Sequence, residues 1–429
     1  MSGLDHIPAV IRLAFAFVFI LICIRKKLSL GHAFLLGAIA LGIMFNLGPL
    51  DIARGTLSSV LYPKTLSLAV IVSLILVLSD SMEASGQMKR LLCSFRGLIV
   101  APLINLVVFP ALIGLLPMPG GAVFSAPMVK ELGYDSNLDP AQLSYTNYWF
   151  RHIWEYWWPL YPGVLLATTL AEVNIWTFVS IMFPLTIAAF IIGYLPIRNI
   201  KTPSPVQTVR IRPPLGPFFK ELLPILIVIV IGLSIGTILS YTITTFTIAK
   251  ETGLIIGLCI AIGWIWYTNN FTIKKIRQRF TDPHIISMVY MVATIFIFKG
   301  MMENSHAVEA INHELATLHI PMVIITILLP FLVGSIVGIT VAFVGSTFPI
   351  LIPLIHTSGE WQFAMAYIML AIGSGFLGVL MSPLHLCLLL SNKYFGANLS
   401  AVYKLLVLPC ACFFVASLIW FGIVWRMYL

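Results

Sequence analysis

The chain has 429 residues, of which 59% are hydrophobic and only 10% charged, with a formal net charge of +9. Soluble domains carry roughly 25% charged residues, so this composition excludes a water-soluble globular protein and predicts a polytopic membrane protein in contact with a lipid bilayer. The positive balance is not a nucleic-acid signal, because the Lys and Arg residues fall between apolar segments, where they set topology.

A spanning helix needs about 20 mostly apolar residues. The chain opens on an apolar run with no basic stretch ahead of it and a second run close behind, so the first reads as a membrane span and not a cleavable signal. Spans are predicted near 7–24, 31–48, 63–84, 148–171 and 175–195. A second set follows near 219–241, 252–268, 284–303, 361–391 and 402–425. Two further segments, 97–131 and 320–357, are apolar but broken. The first contains Pro117-Met118-Pro119-Gly120-Gly121-Ala122-Val123-Phe124-Ser125-Ala126-Pro127, where three prolines remove backbone donors and two glycines loosen the chain. Broken backbone inside a bilayer survives only where protein or a watery cavity covers it. The run therefore reads as the tip of a re-entrant hairpin facing a substrate; the plainer alternative is a short loop between two helices.

Orientation follows from the basic residues. Arg25, Lys26, Lys27, Lys89, Arg90, Arg96, Arg198, Lys201, Arg210, Arg212, Lys274, Lys275, Arg277, Arg279, Lys393 and Lys404 gather on one side, which the positive-inside rule places in the cytoplasm. Alternation then requires both broken segments to return to the side they left. Segment 97–131 enters from the cytoplasm, segment 320–357 enters from outside, and both chain ends are external. Residues 196–218, rich in proline, read as a cytoplasmic linker between an N-terminal unit (1–195) and a C-terminal unit (219–429). The six cysteines show neither metal spacing nor a disulfide framework and read as small apolar side chains.

The two units share landmarks in one order. Met82-Glu83-Ala84-Ser85 corresponds to Met302-Glu303-Asn304-Ser305, Gly121-Ala122-Val123-Phe124 to Gly345-Ser346-Thr347-Phe348, and Leu160-Tyr161-Pro162-Gly163 to Met381-Ser382-Pro383-Leu384. Topology places Glu83 at the inner face and Glu303 at the outer, so the expected fold is all-α, with two inverted repeats of about five transmembrane helices plus one re-entrant hairpin each.

A helix interrupted within the membrane leaves free amides, which attract anions, and free carbonyls, which hold cations. Such ends are predicted at both hairpin tips and at breaks near Pro162 and Pro383, meeting near the bilayer midplane. The substrate-binding candidates are Gly120, Gly121 and Ser125 at the first tip, Gly345, Ser346 and Thr347 at the second, and Ser382, Pro383 and His385 at the second break. An imidazole inside a span can also carry a proton, which makes His385 a coupling candidate beside Asp80, Glu83 and Glu303 near helix ends. Those acidic residues also suit a plain capping role. Arg151 and Glu155 are spaced to pair on one helix face, and Arg151 or His152 can contact an anion at the inner mouth. The surrounding Tyr148, Trp149 and Trp154 equally describe an interfacial girdle with snorkelling charges. No catalytic set, metal-ligand spacing or nucleotide-binding motif is found, so energy comes from an ion gradient or from none.

Hairpin, broken helix, linker and inverted second half together resemble the ion-transporter superfamily of gluconate permeases, citrate and dicarboxylate symporters and arsenite-type carriers. Leu116-Pro117-Met118-Pro119-Gly120-Gly121-Ala122 and Ser382-Pro383-Leu384-His385-Leu386-Cys387 resemble more closely an uncharacterised prokaryotic membrane-protein family within it. The resemblance implies secondary transport of organic anions across a prokaryotic plasma (inner) membrane by a homodimer with elevator-like movement. Sodium-coupled dicarboxylate members carry Ser-Asn-Thr at both tips; Gly120-Gly121-Ala122 and Gly345-Ser346-Thr347 depart from that and favour H+ over Na+ as the coupling ion. The expectation is an ion-coupled carrier of a small carboxylate, without enzymatic activity or cofactor. The alternatives are a membrane-embedded enzyme acting on a lipid-linked substrate and a passive anion channel.

Overall fold

The computed structural model describes residues 6–95, 98, 102–118, 120–134, 138–198, 213–243, 245–317 and 320–429. Among them every regular element is helical and none is a strand. Eight helical stretches among the described residues are long and apolar enough to cross a membrane, which fits the multi-pass, all-α class expected.

The first half opens with α1 (Ala9–Arg25), α2 (Leu30–Met44), α3 (Pro49–Leu61), α4 (Pro63–Ala84) and the amphipathic α5 (Gln87–Phe95). Ser29 caps α2 by accepting the His32 N–H, and α3 and α4 each begin on a proline, whose missing donor has no partner in a first turn anyway. The expected span 31–48 therefore stops at Met44, and α3 fills residues assigned to no span. The first broken segment forms α6 (Pro102–Gly114), a turn described at 115–118 and 120–121, and α7 (Ala122–Tyr134). The turn falls on the proline-glycine run, while Val123 to Pro127 are helical. Residues 97, 99–101 and 119 of that segment, and Arg96 before it, lie outside the described residues.

The span expected over 148–171, with its break near Pro162, is two helices, and the first starts earlier than expected. α8 (Pro140–Arg151) starts at a capping box made by Asp139 and Gln142 and ends at Arg151. Turns follow through 152–161, and α9 (Pro162–Leu170) then begins. Pro159 and Pro162 cannot donate to a continuing helix, which accounts for the interruption. α10 (Ile175–Gly193) is capped by Asn174. Of the expected linker 196–218, residues 199–212, with Lys201, Arg210 and Arg212, lie outside the described residues.

The second half begins with α11 (Leu215–Ile227), which runs through a π turn into α12 (Leu233–Thr242). α13 (Ala249–Thr268), α14 (Ile273–Phe280), α15 (Pro283–Asn304) and α16 (Ala307–Thr317) follow. The second broken segment comprises α17 (Met322–Val337) and α18 (Thr340–Thr357), joined at Gly338 and Ile339. This corrects the expected tip at Gly345, Ser346 and Thr347. Gly338 takes φ 71°, a left-handed conformation costly for other residues, whereas the three expected tip residues lie inside continuous α18. α19 (Ala364–Met381) breaks at Ser382–His385 before α20 (Leu386–Phe395), and α21 (Leu399–Met427) ends the chain.

The halves interlock. α9 packs on α18, and α20 packs on α7 and α8. Elsewhere α12 and α13 meet through glycines: a Cβ on Gly253 would run into the backbone of Gly236, and one on Gly257 into that of Gly232. Small residues spaced four apart let helix backbones approach in a bilayer, where apolar burial gives helices little reason to associate.

Candidate functional site

α8 buries every residue from Leu143 to Arg151, polar ones included. Each polar group needs a partner there, since an unsatisfied one costs about 1–3 kcal/mol. Ser144 donates to Asn392 Oδ1 at 2.5 Å, and Asn147 Nδ2 donates to Ala122 O at 3.0 Å and to Ser391 Oγ at 2.9 Å. Tyr148 OH donates to Leu380 O at 3.0 Å. One helix thereby binds α7, α19 and α20 together. The predicted ligand Ser125 belongs to this network, its hydroxyl donating to Asn147 Oδ1 at 2.5 Å.

At the end of α8 the accounting does not close. Arg151 is only 3% exposed. Its Nη2 donates to Met118 O in the first turn at 2.8 Å, and its Nη1 lies 3.3 Å from Cys387 Sγ and 3.4 Å from His152 Nε2. Its Nε–H is buried without a partner, and among the described residues no carboxylate oxygen lies within 4.0 Å of the guanidinium. His152 Nδ1 donates to Tyr148 O at 2.5 Å, which leaves its Nε2 as acceptor toward His385 Nε2 at 3.1 Å. His385 then donates from Nε2, and its buried Nδ1 lies by the Gly338 backbone without a well-formed hydrogen bond. Glu155 accepts from the Thr340 hydroxyl at the start of α18, and its other oxygen lies 3.7 Å from His152 Nε2.

Glycine makes the close approach of the first turn possible. A Cβ on Gly121 would collide with the Arg151 guanidinium, and one on Gly114 with the Arg151 carbonyl. Gly120 closes the turn at φ 72°. Tyr161 OH donates to Gly114 O at 2.6 Å, tying the first break to the end of α6. Gly338 of the second turn lies against Ser382 and the His385 amide. Both turns and both helix breaks therefore converge on Arg151, His152, Glu155 and His385.

Of the predicted residues, Gly120, Gly121, Arg151, Ser382 and His385 come together here, and Ser125 joins through Asn147. Pro383 sits at the same break but faces outward, exposed. Gly345, Ser346 and Thr347 do not join. Ser346 and Thr347 donate to the carbonyls of Ala342 and Phe343 in their own helix, and Gly345 packs on Ile295. Asp80 and Glu83 line a cavity with Pro117 and Met118 of the first turn and with Asp282 and His284, on the far side of that turn from Arg151, where Asp80 pairs with Arg279 at 2.6 Å. Glu303 pairs with Lys299 at 3.5 Å. It lines another cavity with Glu172, whose partner Lys64 starts α4; Asp80 and Glu83 end that helix, roughly 25–30 Å away at 1.5 Å per residue.

Two expectations about the 147–155 stretch are corrected. Tyr148, Trp149, Arg151 and His152 are buried in protein, so they form no interfacial girdle. Arg151 and Glu155 do not pair along a helix, because α8 ends at Arg151. Cys387, Asn147 and Thr340 belong to the site and were not legible as such; the cysteine read as a small apolar residue.

His152, His385 and Cys387 place one ligand atom each within 4.8 Å of one another. Zinc sits about 2.0–2.3 Å from such atoms. The guanidinium touching two of the three already supplies positive charge at that point, so the donor set does not fit a divalent cation. A buried arginine with a free Nε–H and no carboxylate within ion-pair distance among the described residues fits an anion instead.

The family described as Protein of unknown function (DUF401) matches residues 8–424. None of the curated proteins matches this chain.

Proposed function

The chain belongs to the DUF401 family, and from the geometry of its centre we propose that it is a secondary transporter of a small organic anion, which Arg151 binds. The carrying observation is the guanidinium itself: buried, free at Nε, and without a carboxylate within ion-pair distance among the described residues. An unpaired charge inside protein is expensive and in membrane proteins marks a substrate path. An anionic guest offsets that cost only while it is bound.

Two further features support transport. Each half carries a helix–turn–helix followed by a helix–break–helix, α6 to α9 and α17 to α20. That order agrees with inverted repeats carrying a re-entrant hairpin each, the arrangement that lets a central site open alternately to two sides. The other is the enclosure of Arg151, His152 and Glu155 by protein, which suits a carried solute better than a lipid headgroup; we therefore read the protein as a carrier and not an enzyme. A homodimer with elevator-like motion in a prokaryotic inner membrane completes the reading.

The test is counterflow of labelled gluconate and succinate in proteoliposomes. Wild type is expected to exchange one of them and Arg151→Gln neither. Undiminished exchange by Arg151→Gln would remove the anion site from this position.

A further inference from the structure

Glu155 is the one carboxylate of the central cluster, and its surroundings differ from those of the other acidic residues. Its side chain is 12% exposed, against 35% for Asp80 and 53% for Glu303. One oxygen accepts from Thr340 on the second turn, and the other faces His152 Nε2 at 3.7 Å. The titratable and charged groups around it are Arg151, His152, Tyr148 and Tyr161 from the first half, with His385 and Cys387 from the second. Arg151 is the only permanent cation among them.

We propose that Glu155 carries the proton that travels with the anion, making the protein a proton–anion symporter; the proposal rests on the anion reading of Arg151. Charge balance leads there. In the empty site Arg151 and ionised Glu155 sum to zero. A monoanion binding Arg151 would leave one net negative charge buried in a low-dielectric interior, which is costly. Transfer of one proton from solvent to the free Glu155 oxygen gives a carboxylic acid and restores neutrality, with no other bond made or broken. The Thr340 hydroxyl still has its acceptor, and the new O–H faces the imidazole of His152. Empty and loaded sites are then both neutral, as a site moving through lipid requires.

The histidines are poorer carriers. Both nitrogens of His152 are engaged, and a proton on either ring would set a second cation beside the Arg151 guanidinium, 3.4 Å from it in the case of His152. The coupling role expected of His385 passes to Glu155, with the histidines ordering the site.

The test uses the full chain in vesicles loaded with a pH-sensitive dye, with external gluconate or succinate as probe and protein-free vesicles as control. Wild type is expected to acidify the lumen when gluconate is added. Under an inward pH gradient of about one unit it should accumulate gluconate about tenfold, the ratio one proton per monoanion sustains. Glu155→Gln is expected to exchange labelled gluconate at a reduced rate but to acidify nothing and accumulate nothing. Glu155→Asp, which keeps a titratable group, should recover part of the acidification. Accumulation by Glu155→Gln, or accumulation by wild type driven by sodium and indifferent to pH, would overturn the proton assignment and leave the anion site standing. Failure of wild type to exchange either probe would end both.

Discussion

The glycine seam between α12 and α13 and the cluster around Arg151 are both places where helices meet without bulky apolar side chains, and they do so for opposite reasons. In the seam nothing is left over: Gly232, Gly236, Gly253 and Gly257 bring two backbones into contact, and what a side chain would fill is already filled by the neighbouring helix. In the cluster something is left over: the Arg151 Nε–H is buried without a hydrogen-bond partner. A seam of the first kind specifies a structure. A residue set of the second kind leaves a donor that a bound molecule can take, because buried polar groups in native interiors usually find a partner. The difference predicts which substitutions damage folding and which damage function alone.

The largest effect is expected at Arg151. Arg151→Gln removes a buried charge that no carboxylate touches among the described residues, so affinity for the anion should fall about thirtyfold or more, from the low end of the roughly 2–5 kcal/mol range of buried charge contacts. Read by thermal unfolding in detergent, the melting temperature of the ligand-free protein should change little, because Glu155 can take up a proton once the arginine is gone. A marked fall in melting temperature would make the arginine a structural element and erase the contrast with the seam. Gly253→Leu should do the reverse. Overpacking costs typically about 1–3 kcal/mol, and with backbone as the obstacle this variant belongs at the upper end. Unfolding should come earlier, while affinity in whatever protein remains folded stays near wild type.

The two turns give a finer contrast. Gly120→Ala and Gly338→Ala both place a Cβ on a left-handed residue, a cost of about 1–2 kcal/mol. At Gly120 the new methyl meets only the end of Leu390 at 3.2 Å, whereas at Gly338 it meets Ser382 Oγ at 2.8 Å and the His385 amide at 3.1 Å. The second variant should be the less stable, and only it should also weaken gluconate binding, because it displaces the break that carries His385. Equal losses in both would mean that the second turn does not position the site.

These contrasts also show how much could be read in the residues beforehand. The first turn was legible because Pro117, Pro119, Gly120 and Gly121 leave a helix little alternative. The second was not, since its turn needs only Gly338 inside an apolar run, while Gly345-Ser346-Thr347 merely looks like a tip. Ser and Thr return their hydroxyls to the preceding helical turn, so they sit in buried helices at little cost. Arg151 was legible as a candidate contact, but its place on the helix was misread. The dense tryptophans resembled an interface belt, and the helix was started at Tyr148. Asp139-Pro140-Ala141-Gln142 is a helix start written in the sequence, with the cap, the N1 proline and the reciprocal glutamine all present. Reading it moves Arg151 from the beginning of a helix to its end, next to a break. The contact of His152 with His385 was beyond reach, because it joins elements 233 residues apart.

The smallest effect concerns a charge pair that has water where Arg151 has protein. Lys64 Nζ lies 2.7 Å from Glu172 Oε1, and the Glu172 side chain is 56% exposed. The hydrogen bond from Lys64, aided by its charge, holds the Glu172 carboxyl below its usual range despite partial burial. A carboxyl depressed in the folded state adds stability above its unfolded pKa of about 4.5, and that increment disappears as pH falls through the folded value. Lys64→Gln should therefore lower the melting temperature slightly at neutral pH and match wild type once the pH falls below the folded value. Exposed pairs contribute on the order of 0–1 kcal/mol and are screened by salt, so about 1 M salt should also close the gap. A gap that survives both acid and salt would trace to the packed stem of Lys64 and not to its charge. Affinity for whichever probe is exchanged should respond weakly at most to the same salt, because the guanidinium proposed to bind it is enclosed; equal salt sensitivity at the two places would mean that Arg151 is wet and that its missing partner is water.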